Sequence, residues 1–302
     1  MSDKELVLSN GVKMPIIGFG TFQHTPLTVT ESLVAAVKAG YRHIDTCSEF
    51  KNEPAVGRAI RQLIKKGVVK REELFITTKI SINRITHGSL ENNLRISLRR
   101  LHLKYVDLYL VHIPTTFDNP KGTIYPIVDV WRQLDALYKK KLTRAIGGSN
   151  WRMEHLEKAT SLGITPIHVA QIEFHLSFIQ HAYWIICSAA KVCLISYDTL
   201  GLPGRFHFSQ LTGVYSPWKQ LPSEVDHPVV IELAKKYNKT PNQILLRFVL
   251  DHRVAIIPKS CTNRRIEENI NIFDFFITEV ELSKLERNKF FKPDHPFYHI
   301  VN

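Results

Sequence analysis

The sequence predicts an α/β protein built as a closed (β/α)8 barrel, the TIM-barrel arrangement, with an N-terminal β-hairpin plugging its bottom. Three observations predict it. Eight short β-rich runs recur, most of them apolar nearly throughout rather than alternating, as strands buried on both faces are. Helical patterns separate these runs, which points to βαβ units and a parallel sheet. The chain has 302 residues, and eight units over about 250 residues suit a closed barrel better than an open sheet. One domain spanning residues 1–302 is expected.

The elements follow in order. Leu6-Val7-Leu8 and Val12–Ile16 flank Ser9-Asn10-Gly11, whose Asn-Gly pair is a hairpin turn signal. The first barrel strand is Ile16–Thr21. The first helix is Thr30–Ala39, with Thr30 as its cap, Glu31 behind it and Gly40 as its stop. Arg42–Thr46 then precedes Glu53–Lys66, Leu74–Ile80 precedes Ser89–Leu101, and Val106–His112 precedes Val128–Lys140. Ala145–Asn150 leads to Met153–Leu162, and Ile167–Phe174 to Gln180–Lys191. Val192–Tyr197 is followed by two helices, Pro228–Tyr237 and Thr240–Asp251, before the last strand, Val254–Pro258.

Composition narrows the partners. At 44% hydrophobic and 23% charged residues, disorder, collagen and coiled coil are excluded. Forty Lys and Arg against 28 Asp and Glu give a net charge of +12, a field that favours anionic ligands. The basic residues are dispersed, from Lys65-Lys66 to Lys139-Lys140-Lys141 and Arg264-Arg265, and no nucleic-acid reader motif accompanies them; no nucleic-acid partner is expected. The four cysteines show no paired spacing, so free thiols in the cytoplasm are expected. Charge at Met1-Ser-Asp-Lys-Glu5 argues against a secretory signal. The longest apolar run, Ala182–Tyr197, is interrupted by Lys191 and falls short of the roughly 20 residues of a membrane span. His295 and His299 are four apart, but Pro296 stands where a zinc peptidase's helix carries glutamate, so no metal site is expected.

Chemistry in such a barrel sits where strands end. The polar residues there are Asp45 and Thr46, Lys79, His112, Ser149 and Asn150, Gln171 and Glu173, Tyr197 and Asp198, and Lys259 and Ser260. An ionisable group at the end of an apolar strand is costly unless paired. Asp45, Lys79 and His112 close three successive strands and are placed to pair with one another.

Fragments of the chain, in order, resemble the aldo-keto reductases nearly end to end. They are Gly18-Phe-Gly-Thr21, Gly40-Tyr-Arg-His-Ile-Asp-Thr46 with Asn52-Glu53, Phe75-Ile-Thr-Thr-Lys79 and Tyr105-Val-Asp-Leu-Tyr-Leu-Val-His112. Ile146-Gly-Gly-Ser-Asn150, Gln171-Ile-Glu173 and Ile257-Pro-Lys-Ser260 complete the set, with Arg265 and Asn269 behind. The resemblance implies NADPH bound without a GxGxxG motif, and none occurs here. It implies that the 2′-phosphate lies near Lys259, Ser260 and Arg265, whose charges and hydroxyl suit a phosphate monoester. Glu268 and Asn269 match positions near the adenine. Ser149, Asn150 and Gln171 match the groups that orient the nicotinamide carboxamide, and Tyr197 matches the ring beneath it. Thr21, Leu200 and Thr262 complete the cofactor path. Taken singly, Ser149 or Asn150 reads as a helix cap, Tyr197 as core and Lys259 as a solvated surface charge; their joint occurrence favours the cofactor.

Carbonyl reduction needs a hydride on carbon and a proton on oxygen. The resemblance assigns the proton to a tyrosine, activated by Lys79 and through it by Asp45, with His112 orienting the substrate. That tyrosine position is Phe50. Loss of a general acid costs about 10²–10⁴-fold in rate, or about 3–5.5 kcal/mol of barrier. Three readings stand: a slow or specialised reductase of small carbonyl compounds, an NADPH-binding protein that no longer catalyses, and an enzyme with a relocated donor. His112 is the best relocated donor, because an imidazolium both binds and protonates a carbonyl oxygen; Glu49 is expected to point away. The retained Asp45, Lys79 and His112 favour the reductase. Phe22 and Ile113 replace pocket tryptophans common in the family, and Phe291 belongs to a shortened tail that still offers apolar lining. Asp198 stands where the family has serine, on the expected path of the pyrophosphate. The resemblance favours a monomer.

Overall fold

The computed structural model describes residues 4–80, 89–113, 126–201 and 223–287. The chain opens with β1 (Glu5–Val7) and β2 (Lys13–Pro15), paired antiparallel. Their turn is shaped by Asn10 and by Gly11 at φ 81°; the Asn10 carboxamide accepts from Val12 N at 3.2 Å. The same side chain donates to Arg144 O at 2.9 Å, and Cys193 Sγ lies 3.9 Å from Val7 O. Both contacts fall where barrel strands begin, so the hairpin covers the bottom, with Met14 fully buried.

Eight parallel strands form the barrel in chain order: β3 (Gly18–Gly20), β4 (His43–Asp45), β5 (Phe75–Ile80), β6 (Val106–Val111), β7 (Thr143–Ser149), β8 (Val169–Glu173), β9 (Cys193–Tyr197) and β10 (Ala255–Ile256). All six residues of β5 and of β6 are buried, as strands with a core on one face and helices on the other require. The registers Gly20↔Asp45, Asp45↔Thr77 and Ser149↔Gln171 bring the carboxyl ends of these strands together. Closure rests on a narrow seam: Ile17 bridges Ile256, Ile256 N donates to Ile16 O at 2.8 Å, and Gly20 N donates to Pro258 O at 3.1 Å. A Cβ on Gly20 would sit 2.6 Å from Ile257 O, so the seam requires glycine there.

Around the sheet lie α1 (Pro26–Ala39), α2 (Glu53–Lys65), α3 (Ser89–Leu101), α4 (Ile127–Lys139), α5 (Met153–Thr160), α6 (His181–Ala189), α7 (Pro228–Tyr237) and α8 (Pro241–Asp251). Two more, α9 (Asn263–Ile270) and α10 (Glu279–Arg287), were not expected. The start of α1 differs from the sequence reading. Thr25 is the cap, accepting from Thr28 N at 3.2 Å while Thr28 Oγ1 accepts from Thr25 N at 3.0 Å, and Pro26 fills the first turn, where no N–H is needed. Thr30 lies inside the helix and donates to Pro26 O at 3.1 Å. The last strand is shorter than Val254–Pro258, since Pro258 has no N–H to continue a ladder. Among the described residues no helix is long and apolar enough to cross a membrane.

Candidate active site

The end of β4 delivers Asp45 and the end of β5 delivers Lys79, both buried. Lys79 Nζ donates to Asp45 Oδ1 and to Thr46 O at 3.2 Å. Asp45 Oδ2 accepts from Gln171 Nε2 at 2.9 Å. A buried ion pair is tolerable only when its remaining donors and acceptors are also met, and these bonds meet them. Thr21, wholly buried, donates from Oγ1 to Asp45 O at 2.9 Å and ties β3 to the same corner.

After β4 the chain makes a single 3-10 turn, Ser48–Phe50, ended by Lys51 at φ 56°. Ser48 Oγ donates to Lys79 O at 3.0 Å, fixing the turn over β5. Phe50 is thereby brought to the charge pair: Lys79 Nζ lies 5.5 Å from the centre of its ring. The ring is also 5.0 Å from Phe22 and 5.8 Å from His112, edge-on to the latter. The position expected to carry a phenol thus holds a phenyl ring that offers Lys79 a π face in place of a hydroxyl.

His112 follows β6, held by its own N–H to Ile80 O at 2.7 Å and by Asn150 Nδ2, which donates to His112 O at 3.0 Å. Its Nδ1 lies 3.1 Å from Glu49 Oε2 and 3.4 Å from Cys47 Sγ. Glu49 does not point away as expected, because the 3-10 turn swings it across β5 onto the imidazole. Burial of the ring opposes the charged form, but the neighbouring Cys47 and Glu49 outweigh it against the opposing Lys79 charge, and the pKa rises from 6.5 to about 9. These neighbours favour the imidazolium form at neutral pH.

Across the mouth, Asn150 sits at φ 58° at the end of β7, beside the buried Ser149. It caps no helix, since α5 begins after Arg152. Its Oδ1 accepts from Tyr197 OH at 2.5 Å, which holds the half-buried tyrosine at the top of β9. Asp198 follows in a left-handed turn closed by Gly201 N to Asp198 O at 2.8 Å, with half-buried Leu200 between them.

Beyond β10, Lys259 is exposed and Ser260 buried, with Ser260 Oγ accepting from Thr262 N at 3.1 Å. A cleft of about 400 Å³ opens at the start of α9, lined by Thr262, Arg264, Arg265 and Glu268. Glu268 accepts from Thr240 Oγ1 at 2.6 Å, and Asn269 is buried on the inner side of α9. Burial first, then the Lys259 charge, lowers the His24 pKa to about 4. A helix N-terminus flanked by cations suits an anion.

Ile113 is half-buried beside His112, while Phe291 and the His295–His299 pair lie outside the described residues. Sequence reading missed the Glu49–His112 contact and Cys47 beneath it. The signal was the pairing of a titratable residue with a cysteine two positions earlier, which acquires meaning only once the turn is known.

The family model described as "Aldo/keto reductase family" matches residues 16–288. The chain belongs to the aldo-keto reductase family. It is similar to "Aldo-keto reductase family 1 member A1" of Gallus gallus, 35% identical over 92% of this chain and 86% of the relative. The Homo sapiens protein of that name is 36% identical over 93% and 87%. Among solved structures, a Bombyx mori aldo-keto reductase in complex with NADP superposes with a TM-score of 0.85 at 29% identity, over 100% of this chain and 96% of that one. The aldose reductase from Schistosoma japonicum also gives 0.85, at 27% identity, over 97% and 94%. As in other aldo-keto reductases, eight parallel strands make up the barrel.

Proposed function

We propose that this aldo-keto reductase is an NADPH-dependent reductase of small reactive aldehydes and quinones, slow and narrow in range, whose proton comes from His112. The carrying observation is the 3.1 Å contact between Glu49 Oε2 and His112 Nδ1. It stabilises the imidazolium at Nδ1 and leaves Nε2 to donate. The residues present fit the cofactor. The basic cleft at α9 suits a phosphate monoester, and Ser149, Asn150 and the Gln171 carbonyl offer donors and acceptors for a carboxamide. The Bombyx mori relative with NADP supports the same reading.

When bound, NADPH supplies a hydride to the carbonyl carbon. His112 gives its Nε2 proton to the carbonyl oxygen, forming the alcohol, and recovers a proton from solvent through its exposed edge. Glu49 holds the ring while this happens. Lys79, with no phenol to activate, contributes fixed positive charge where negative charge develops. Phe22, Phe50 and Ile113 supply an apolar wall that accepts a flat or small substrate. The protein acts as a cytoplasmic monomer in this reading.

The test is NADPH oxidation across a panel of reactive aldehydes and quinones, run beside Phe50→Tyr, His112→Gln and a cofactor-binding titration. Turnover abolished by His112→Gln is expected. Cofactor binding without any turnover, restored in Phe50→Tyr, would instead identify a cofactor-binding protein whose chemistry ended at one residue.

A further inference from the structure

We propose that Cys47, Glu49 and His112 form a binding site for a zinc-like divalent cation. The three side chains come from the β4 loop and the end of β6, and their ligand atoms all lie within 4.8 Å of one another, the only such group among the described residues. Zinc takes thiolate sulfur at about 2.3 Å and imidazole nitrogen or carboxylate oxygen at about 2.0–2.1 Å in a tetrahedral array. Those lengths place sulfur about 3.6 Å from nitrogen, and nitrogen about 3.3 Å from oxygen. The observed separations are 3.4 Å and 3.1 Å. Two of the three edges already stand near the lengths of the coordination polyhedron, and the third, between the sulfur and the carboxylate, is within 4.8 Å.

The donor set has the right chemistry. One soft thiolate, one imidazole and one carboxylate select zinc over magnesium or calcium, and three protein ligands with a fourth position open is the pattern of accessible zinc sites. Cys47 is buried at the base, whereas Glu49 and His112 are half-buried at the rim, so a cation enters from the cleft and meets the sulfur last. The ligands are held from behind: Asn150 Nδ2 binds His112 O, and Ser48 Oγ fixes the turn to Lys79 O.

Ligation takes Cys47 as thiolate and His112 through a proton-free Nδ1, so any protons on those atoms leave as the dication arrives. The cation and the Nδ1 proton exclude each other, so the metal switches off the imidazolium acid. That consequence rests on the reductase reading; the binding does not.

The test begins with chelator-treated full-length protein titrated with Zn²⁺ in competition with a chromophoric chelator, without cofactor or substrate. One equivalent should bind, and Cys47→Ser should weaken it by at least about a hundredfold, beyond the 10–100-fold typical of losing an outer-sphere partner. Glu49→Gln, at a half-buried position on the rim, should weaken it as well. Co²⁺ should show a thiolate charge-transfer band in the near ultraviolet that Cys47→Ser removes. Stoichiometric binding that survives Cys47→Ser, or bound Co²⁺ without that band, would overturn the site. If turnover is detected, one equivalent of Zn²⁺ should suppress it reversibly; a rise in turnover would overturn the switch while leaving the site.

Discussion

Glu49 reaches His112 across an intervening strand: the two leave the barrel after β4 and β6, yet their carboxylate and imidazole are 3.1 Å apart. The strand between them carries Lys79, so the imidazole feels the thiol of Cys47, the carboxylate of Glu49 and the ammonium of Lys79 together. The first two dominate.

A pH limit on turnover follows. The His112 pKa is raised to about 9, so the acid is present at neutral pH and is lost as pH climbs through that value. In chelator-treated protein kcat should hold from pH 6 to 8 and decline above about 9. Glu49→Gln should move that decline to lower pH, because the charge favouring imidazolium is gone. A profile unchanged by Glu49→Gln would remove His112 from proton delivery.

Restoring the phenol is the converse test. Phe50 already lies against Lys79 and His112, so Phe50→Tyr places a hydroxyl where both can act on it. Turnover should rise tenfold or more, given the usual worth of a general acid, measured as the initial rate of NADPH oxidation.

Much of this was legible beforehand. Eight strand runs and their order could be read because strands buried on both faces are apolar throughout. Asp45, Lys79 and His112 stood out because charge at the end of such strands needs a partner. The Glu49 contact was not legible, since it depends on a 3-10 turn and on Lys51 entering the left-handed region, neither of which has a periodic signature. Helix α9 was read only as separate ligand positions: its outward residues Arg264, Arg265, Glu267 and Glu268 mask the short apolar face. Thr30 drew the start of α1 inward because a threonine before an apolar run looks like a cap, whereas Thr25 with Pro26 is one.

The cofactor grip is testable at Lys259, whose charge reaches His24. Lys259→Ala should weaken NADPH by about 1.5–3 kcal/mol, as for a lost charge-assisted hydrogen bond, and weaken NADH far less. A fluorescence titration with both cofactors separates the 2′-phosphate contribution from general loss of binding.

Stability should depend on the buried pair. Asp45→Asn leaves the Lys79 ammonium in a site with no counter-charge and should cost about 3–5 kcal/mol in denaturant unfolding. Lys79→Met added to Asp45→Asn removes the orphaned charge and should recover a large part of that loss. Absence of recovery would mean that the hydrogen bonds to Thr46 and Gln171, rather than charge, set the cost.

The barrel's seam has a mechanical consequence. Its last strand offers only Ala255 and Ile256, and after Ile257 and Pro258 the chain reaches Lys259 and Ser260. Whatever anchors those two residues also pulls the first and last staves together, so a ligand held there acts as a hoop. Amide exchange at Gly20 and Ile256, which donate across the seam, should slow when NADPH binds, while amides of β5 and β6 on the opposite wall keep their rates.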